Sequence, residues 1–215
     1  MYRAILFDLD GTLTASAEGI TKSVRYALHK LGIDEPDLHK LEAFVGPPLL
    51  DQFMEAYGLD EAAAWQAVGY YRERYTQQGI YENQPYEGIW ELLQGLKARG
   101  YILGVASSKP IVYVRQILEH FKLASFFTVI EGSQMDGSRT TKGEVIQEAL
   151  RGLKMEGQRE QVVMVGDRKH DILGARDAGI DCVAVAYGYG STQELEQAGP
   201  LMIAPTIEGL QRFFL

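Results

Sequence analysis

The hydrophobic pattern changes along the chain and divides the first part of the sequence in two. A short apolar run over residues 1–7 predicts a buried strand. Between about residues 16 and 81, apolar residues recur at helical spacing, as at Ile20, Val24 and Leu28, and glycine and proline separate the periodic stretches. No alternating strand pattern interrupts this region. It therefore predicts an all-helical insert placed directly after the first strand.

From Pro85 onward, strand and helix patterns alternate to the end of the chain. Predicted strands cover 101–106, 126–130, 161–165, 182–186 and 201–204, and predicted helices cover 88–99, 111–121, 144–153, 172–178 and 207–214. This alternation predicts an α/β fold, a Rossmann-like parallel sheet with helices on both faces. We expect residues 1–15 and 82–215 to form the α/β core domain and residues 16–81 to form the helical domain.

Polar side chains follow several predicted strands at the point where each strand ends. Asp8 and Asp10 follow the first strand, and Ser107 and Asp167 follow two later strands. Because parallel sheets bind ligands at the carboxyl ends of their strands, these segments should converge on one edge of the sheet. A carboxylate directly after a buried strand is costly unless a cation or a reaction uses it. The pattern therefore predicts a reactive or cation-binding site at this edge.

Four segments, in this order, resemble the sequence motifs of the haloacid dehalogenase-like hydrolases. They are Phe7-Asp8-Leu9-Asp10-Gly11-Thr12-Leu13, Ala106-Ser107-Ser108-Lys109-Pro110, Thr140-Thr141-Lys142-Gly143-Glu144 and Val162-Val163-Met164-Val165-Gly166-Asp167-Arg168-Lys169-His170-Asp171-Ile172. Most members of that superfamily are Mg²⁺-dependent phosphatases that work through an aspartyl phosphate. With the alternating strand and helix pattern, the resemblance extends over nearly the whole chain.

The resemblance implies a role for each acidic residue. Asp8 is the expected nucleophile, and Asp10 is the expected general acid and then general base. Asp8, the backbone carbonyl of Asp10 and Asp167 would ligate Mg²⁺, while Asp171 would act through a water molecule or orient a ligand. From the residues alone, Asp8 and Asp10 could instead cap a turn, and Asp171 could cap the following helix.

The resemblance also implies a phosphate-binding set. Ser107, the backbone N–H of Ser108 and the side chain of Lys142 would hold the transferring phosphoryl group, and Lys142 would also offset the charge on Asp8. Considered individually, Ser107 could be an ordinary helix cap before Pro110, and Lys142 could be a surface lysine.

Two features indicate a branch of the superfamily. The dehalogenase branch lacks an aspartate at the position of Asp10, so its presence favours phosphate esters as substrates. The helical insert resembles the small cap domain of the phosphoglycolate phosphatase-like group, which covers the active site of the catalytic core. One loop of the insert would face the substrate, although it could also be an ordinary turn between helices; its residues are Val45, Gly46, Pro47 and Pro48.

The substrate remains open at this level. Phosphoglycolate has a second anionic end, yet no cation occurs between Leu41 and Glu55 to meet it. The insert is rich in aromatic residues, which could stack on a nucleobase or simply form its core. We expect hydrolysis of a small phosphorylated metabolite, phosphoglycolate-like, with a 5'-nucleotidase as the alternative and a sugar phosphate mutase after it. A non-catalytic relative would usually have lost the nucleophile or the metal-binding acids, and all of them are present here.

Composition restricts partners and location. The formal net charge of -8 disfavours a nucleic-acid polymer as a partner. No apolar run is long enough to span a bilayer, and no basic-then-apolar leader opens the chain, so we expect a cytoplasmic protein without membrane contact. The sequence leaves a monomer and a homodimer equally open.

Three other features have ordinary interpretations. Cys182 lies in an apolar run and has no second cysteine to pair with, which predicts a core residue. Gly188 and Gly190 suggest a dinucleotide loop, but Gln193 stands where the third glycine belongs, which indicates a loop beside the site instead. His170 lies among oxygen ligands suited to Mg²⁺, so a hydrogen-bonding role is expected for it.

Overall fold

The computed structural model describes residues 2–136 and 138–215. The chain divides into two compact units, one formed by Met1–Thr14 and Pro85–Leu215 and the other by Ala15–Gln84. The chain passes between them through two short strands, β2 (Thr14–Ala15) and β3 (Gln84–Pro85), which form a two-stranded sheet. Within the described ranges, no helix is both long and apolar enough to cross a membrane.

The first unit is built on a parallel six-stranded sheet. Its strands follow the spatial order β5-β4-β1-β6-β7-β8, and every neighbouring pair is parallel. They are β1 (Ala4–Phe7), β4 (Ile102–Pro110), β5 (Val129–Ser133), β6 (Val162–Gly166), β7 (Asp181–Val185) and β8 (Met202–Ala204). The predicted Rossmann-like α/β fold is confirmed.

Helices lie between these strands and after the last of them. They are α4 (Ile89–Ala98), α5 (Ile111–His120), α6 (Lys142–Leu153), α7 (Lys169–Asp177), α8 (Thr192–Ala198) and α9 (Ile207–Phe214). Helix α8 was not predicted, because its seven residues bury only Leu195 and Ala198 and so show no clear hydrophobic period. Its start is marked by Ser191, whose hydroxyl accepts a hydrogen bond from the Glu194 N–H at 3.1 Å.

Strand β1 lies at the centre of the sheet and is buried on both faces. Ala4 and Leu6 belong to the hydrophobic cluster shared with α6 and α7. Ile5 and Phe7 point to the opposite face because side chains alternate along a strand. Burial on both faces explains why β1 reads as an uninterrupted apolar run.

Several element bounds differ from the sequence-based expectation, among them those of β4, β5 and α7. Strand β4 was expected to end at Ala106 but continues to Pro110, with an irregular register after Ser107. Strand β5 lies three residues later than expected, because a short 3₁₀ helix (Ala124–Phe126) occupies the start of the predicted segment. Helix α7 begins at Lys169 rather than at residue 172, because Asp171 accepts a hydrogen bond from the Arg168 N–H at 3.0 Å and caps the first turn.

The second unit is helical. It contains α1 (Ala17–Lys30), α2 (Leu49–Tyr57), α3 (Glu61–Tyr75) and two 3₁₀ helices (Lys40–Phe44 and Gly79–Tyr81). Many of its aromatic rings form its core: Phe44 packs on Phe53 with ring centroids 4.9 Å apart, and Tyr71 stacks on Tyr75 at 5.1 Å. The interpretation of the aromatic residues as core therefore holds for these four rings.

An ion-pair network links α1, α3 and the end of this unit. Arg74 donates two hydrogen bonds to the Glu82 carboxylate, at 2.8 and 3.0 Å, and a third to the Ser23 hydroxyl at 3.2 Å. Lys22 also lies 3.2 Å from Glu82. The Arg74 guanidinium lowers the pKa of Glu82, and burial only partly opposes that effect. Glu82 therefore stays ionised in the folded chain at neutral pH.

Candidate functional site

Three carboxylates meet at the carboxyl edge of the sheet. Asp8 follows β1, Asp167 follows β6, and Asp171 lies in the first turn of α7. One carboxylate oxygen from each lies within 4.8 Å of the other two, and all three residues are buried. The Asp8 N–H extends the β1–β6 pairing by donating to the Val165 carbonyl at 2.9 Å. The sheet therefore fixes the backbone from which Asp8 projects.

Lys142 lies against two of these carboxylates. Its ammonium nitrogen is 2.8 Å from Asp8 Oδ1, 2.8 Å from Asp171 Oδ1 and 3.0 Å from the Ala106 carbonyl oxygen. Burial acts to lower the pKa of Lys142, but the negative charges of Asp171 and Asp8 outweigh burial and raise it above its ordinary value. Lys142 is therefore a buried, protonated lysine and not the surface lysine of the alternative interpretation.

The start of α6 explains how Lys142 is held. Thr141 precedes the helix, and its hydroxyl accepts a hydrogen bond from the Glu144 N–H at 3.3 Å. The Glu144 carboxylate accepts in return from the Thr141 N–H at 3.0 Å, which completes a capping box. Lys142 is the first helical residue, so this box determines where its side chain leaves the backbone. A lysine is unfavourable at a helix N-terminus, which indicates that it is kept there for its charge partners.

The cluster carries an excess of negative charge. Three carboxylates and one ammonium sum to a formal charge of about -2 within a buried volume. Burial, followed by the charges of Asp171 and Asp8, raises the pKa of Asp167 well above its ordinary value. Burial likewise raises the pKa of Asp171, although Lys142 opposes it. A divalent cation that prefers oxygen ligands, such as Mg²⁺, fits this donor set and would offset its charge.

Asp167 is enclosed by a glycine of the first motif-like segment and by glycines of the loop that was expected beside the site. A Cβ on Gly11 would lie 2.1 Å from Asp167 Oδ2, and one on Gly188 would lie 2.4 Å from Asp167 Cβ. The Tyr189 N–H donates to Asp167 Oδ2 at 2.8 Å, and the Thr12 hydroxyl lies 3.4 Å from Asp167 Oδ1. The loop of Gly188 and Gly190 thus lies beside the site, and its small residues permit its backbone to approach Asp167 closely.

Tyr187 contacts the backbone of Thr12, the residue that follows Gly11. Its hydroxyl donates to the Thr12 carbonyl at 3.0 Å, and its ring packs edge-on against Tyr86 with centroids 5.1 Å apart. Burial raises the pKa of Tyr187, and the nearby Asp167 charge adds to the increase, so the phenol stays protonated and donates. No motif in the sequence pointed to Tyr187.

Asp10 has a separate partner. Its Oδ2 forms a short ion pair with the Lys109 ammonium, and the side chains of both residues are 7% exposed. The Lys109 N–H also donates to the Ser107 hydroxyl at 3.3 Å. Lys109 lies within the second motif-like segment, but a lone lysine after a strand is usually a surface residue, so sequence reasoning did not single it out.

The predicted site residues therefore fall into three groups. Asp8, Lys142, Asp167 and Asp171 are brought into direct contact or close proximity. Asp10, Ser107 and Ser108 lie at the ends of the adjacent strands β1 and β4, with Ser107 buried and Ser108 half-buried. The loop formed by Val45, Gly46, Pro47 and Pro48 belongs to the helical unit.

The structure places three further residues or segments for which the sequence left alternatives. Asp171 both caps α7 and lies in the carboxylate cluster, so its capping role is compatible with the predicted role near a cation, which stays a prediction. The loop of Val45 to Pro48 joins a 3₁₀ helix to α2, and its substrate-facing role stays a prediction. His170 is half-buried and does not belong to the three-carboxylate cluster.

Comparison with known proteins adds independent support. A protein of Pseudomonas aeruginosa named 5'-nucleotidase is 50% identical over 211 residues, covering 98% of this chain and 95% of that protein. Tyrosine-protein kinase PtkA of Mycobacterium tuberculosis is 41% identical over 209 residues, covering 96% of this chain and 70% of that protein. The crystal structure of a predicted phosphatase from Clostridium acetobutylicum matches with a TM-score of 0.96 and 47% identity, covering 99% of this chain and 98% of that one.

A family model agrees with these individual relatives. The model described as haloacid dehalogenase-like hydrolase matches residues 5–185, a range that contains all four motif-like segments and the complete carboxylate cluster. The resemblance seen in the sequence is therefore confirmed, and the chain belongs to the haloacid dehalogenase-like hydrolase family.

Proposed function

We propose that this haloacid dehalogenase-like phosphatase is a Mg²⁺-dependent phosphomonoesterase that works through a phosphorylated Asp8 and takes nucleoside 5'-monophosphates. The observation that carries the proposal is the buried set of Asp8, Asp167, Asp171 and Lys142 at the carboxyl edge of the sheet. It provides a nucleophile, an oxygen-rich cation site and a fixed positive charge within one small volume. Phosphoryl transfer requires all three.

Asp8, Asp167 and the backbone carbonyl of Asp10 would hold Mg²⁺, with Asp171 close enough to bind directly or through water. When bound, the cation neutralises negative charge on the phosphoryl oxygens. The excess charge of the cluster and the raised pKa values of Asp167 and Asp171 support this assignment, because a cation relieves the repulsion that contributes to both.

The chain's own residues supply the remaining steps. An Asp8 carboxylate oxygen attacks phosphorus, and the bond from phosphorus to the leaving oxygen breaks. Asp10 gives a proton to that oxygen and later accepts one from the water that attacks the phosphorylated Asp8. Ser107, the Ser108 N–H and Lys142 stabilise the phosphoryl oxygens as charge redistributes over them. Lys142 suits this role because Asp8 and Asp171 keep it protonated.

The choice of nucleotides over phosphoglycolate rests on the comparisons. One relative, which is 50% identical to this chain over almost the full length of both proteins, is named a 5'-nucleotidase. No cation occurs between Leu41 and Glu55 to meet a second anionic group, which also disfavours phosphoglycolate. Phosphoglycolate and sugar phosphates are therefore the comparison substrates.

The first experiment measures p-nitrophenyl phosphate hydrolysis with Mg²⁺ and with EDTA, for the wild type and for Asp8→Asn. Asp34→Asn is the matched control, because it removes an exposed carboxylate by the same change. We expect metal-dependent release by the wild type and by Asp34→Asn, and a loss of at least about a thousandfold in Asp8→Asn. Wild-type turnover by folded Asp8→Asn would overturn the mechanism.

A substrate panel then tests the specificity. We expect kcat/KM for nucleoside 5'-monophosphates to exceed that for phosphoglycolate and for sugar phosphates. A preference for phosphoglycolate would overturn the nucleotide assignment and leave the phosphatase mechanism intact. The panel includes ATP labelled in its terminal phosphate, because one relative is named a tyrosine-protein kinase. Label recovered on tyrosine, rather than as free phosphate, would contradict the hydrolase proposal.

A further inference from the structure

The site contains a second buried lysine that the proposed mechanism does not use. Lys142 contacts Asp8 and Asp171, whereas Lys109 contacts Asp10. The Lys109 side chain is only 7% exposed, so its ammonium is not a solvated surface group. Burying an ammonium costs free energy unless a partner compensates it, and Asp10 is that partner. The pairing places a fixed positive charge on the expected proton donor.

The two oxygens of the Asp10 carboxyl group are in different situations. Oδ2 is bound by the Lys109 ammonium. Oδ1 is buried and has no hydrogen-bond partner among the described residues. A lysine ammonium has donors and no acceptor, so a proton on Oδ2 would face a group that cannot receive it. Oδ1 is consequently the oxygen that the ion pair with Lys109 leaves available to a leaving group.

Lys109 is itself held in place. It lies near the carboxyl end of β4, and its backbone N–H donates to the Ser107 hydroxyl at 3.3 Å. Pro110 ends the strand, and α5 begins at the next residue, Ile111. The hydrogen bond to Ser107 within the irregular end of β4, and the start of α5 directly after Pro110, therefore hold the backbone at Lys109, which favours a defined position for its side chain.

We infer that Lys109 is a positioning residue that holds Asp10 Oδ2, so that Oδ1 is the atom that transfers the proton. This inference rests on the proposed function of Asp10. In the first step the Oδ1–H bond breaks, its proton goes to the leaving oxygen, and the electron pair of the broken P–O bond stays on that oxygen. In the second step Oδ1 takes a proton from water while the water oxygen bonds to phosphorus and the bond to Asp8 breaks. No proton passes through Lys109 in either step.

Leaving-group dependence tests this inference. The p-nitrophenolate group leaves with little protonation, whereas the alkoxide of a nucleoside 5'-monophosphate or of a simple alkyl phosphate needs a proton as it leaves. We expect Lys109→Met to lower kcat/KM for the alkyl ester at least about tenfold more than for p-nitrophenyl phosphate. Lys109→Arg should recover part of the difference, because arginine also presents a fixed donor to Oδ2.

Asp10→Asn provides the reference. Once the proton donor is absent, its position no longer matters, so adding Lys109→Met to Asp10→Asn should cause little further loss on the alkyl ester. Equal losses on both substrates, or additive losses in the double variant, would overturn the inference. If the wild type itself shows no metal-dependent hydrolysis of p-nitrophenyl phosphate, that result would instead overturn the proposed function. Should Lys109→Met fail to fold, as judged by circular dichroism, Lys109→Gln answers the same question.

Discussion

Asp167 occupies the space that a side chain on Gly11 would need. A Cβ on Gly11 would lie 2.1 Å from Asp167 Oδ2, and the φ angle of Gly11 is +83°, a conformation that L-residues rarely adopt. Two independent requirements thus converge on one position, because the turn needs a left-handed residue and the carboxylate needs the free volume. The glycine of the first motif therefore permits the first and fourth motifs to meet.

Gly11→Ala should disrupt the proposed Mg²⁺ site as well as the turn. Backbone strain alone should lower the free energy of unfolding by about 1–3 kcal/mol. Displacement of Asp167 should in addition weaken Mg²⁺ binding by about tenfold or more. Gly32→Ala is the matched control, because Gly32 has a φ of +77° and a Cβ there would meet no atom within 4 Å. Urea unfolding and metal-induced thermal stabilisation measure the two effects, and equal Mg²⁺ affinity in both variants would refute the prediction.

Asp167→Asn should affect stability in opposite directions with and without metal. In EDTA the variant removes one charge from a cluster with a formal excess of about two negative charges, so its Tm should exceed that of the wild type. Asparagine keeps an oxygen to accept from the Tyr189 N–H, so packing is conserved. With saturating Mg²⁺ the wild type should gain more in Tm and become the more stable protein. Differential scanning calorimetry measures the Tm of both proteins in EDTA and with Mg²⁺. A Tm below that of the wild type for the variant in EDTA would contradict the charge argument.

Local sequence signals were sufficient for the carboxylate-bearing edge of the sheet. The apolar run of β1 predicts a strand buried on both faces, and Asp8 is the next residue after it. The same reasoning placed Asp167 after β6, and parallel strand topology then brought the two carboxylates together. These features were predictable because each depends on residues adjacent in sequence and on one general rule about parallel sheets.

Contacts between distant segments were not predictable in the same way. Tyr187 and Thr12 are 175 positions apart, and neither residue type implies the hydrogen bond between them. Lys109 and Asp10 are separated by 99 positions, and only the irregular end of β4 carries Lys109 towards its partner. Such pairings depend on strand register and side-chain direction, which hydrophobic periodicity does not encode.

Tyr187→Phe should weaken metal binding without a large loss of stability. The variant removes the hydrogen bond to the Thr12 carbonyl, which should cost about 1 kcal/mol in unfolding free energy. Because Thr12 lies beside Asp10 and Gly11, the affinity for Mg²⁺ should also fall severalfold. Tyr101→Phe is the control, since its hydroxyl donates to the Phe214 carbonyl at 3.2 Å, away from the carboxylate cluster. Isothermal titration calorimetry measures the Mg²⁺ affinity of both variants. An unchanged affinity in Tyr187→Phe would exclude a role of the Tyr187 hydroxyl in supporting the site.

Glu82→Gln should destabilise the chain in a pH-dependent way. Arg74 lowers the pKa of Glu82 below its ordinary value of 4.5, so the folded state favours the ionised carboxylate. This contribution is fully present above the ordinary pKa and is lost as the pH falls through the lowered one. The Tm deficit of Glu82→Gln should therefore be largest near neutral pH and should shrink below about pH 4.5. Glu18→Gln is the control, because it removes the other carboxylate that contacts Lys22 while leaving the Arg74 pair intact. Thermal unfolding at several pH values across this range measures the Tm deficit. A Tm deficit that does not change with pH would show that lost packing, rather than the charge pair, destabilises the variant.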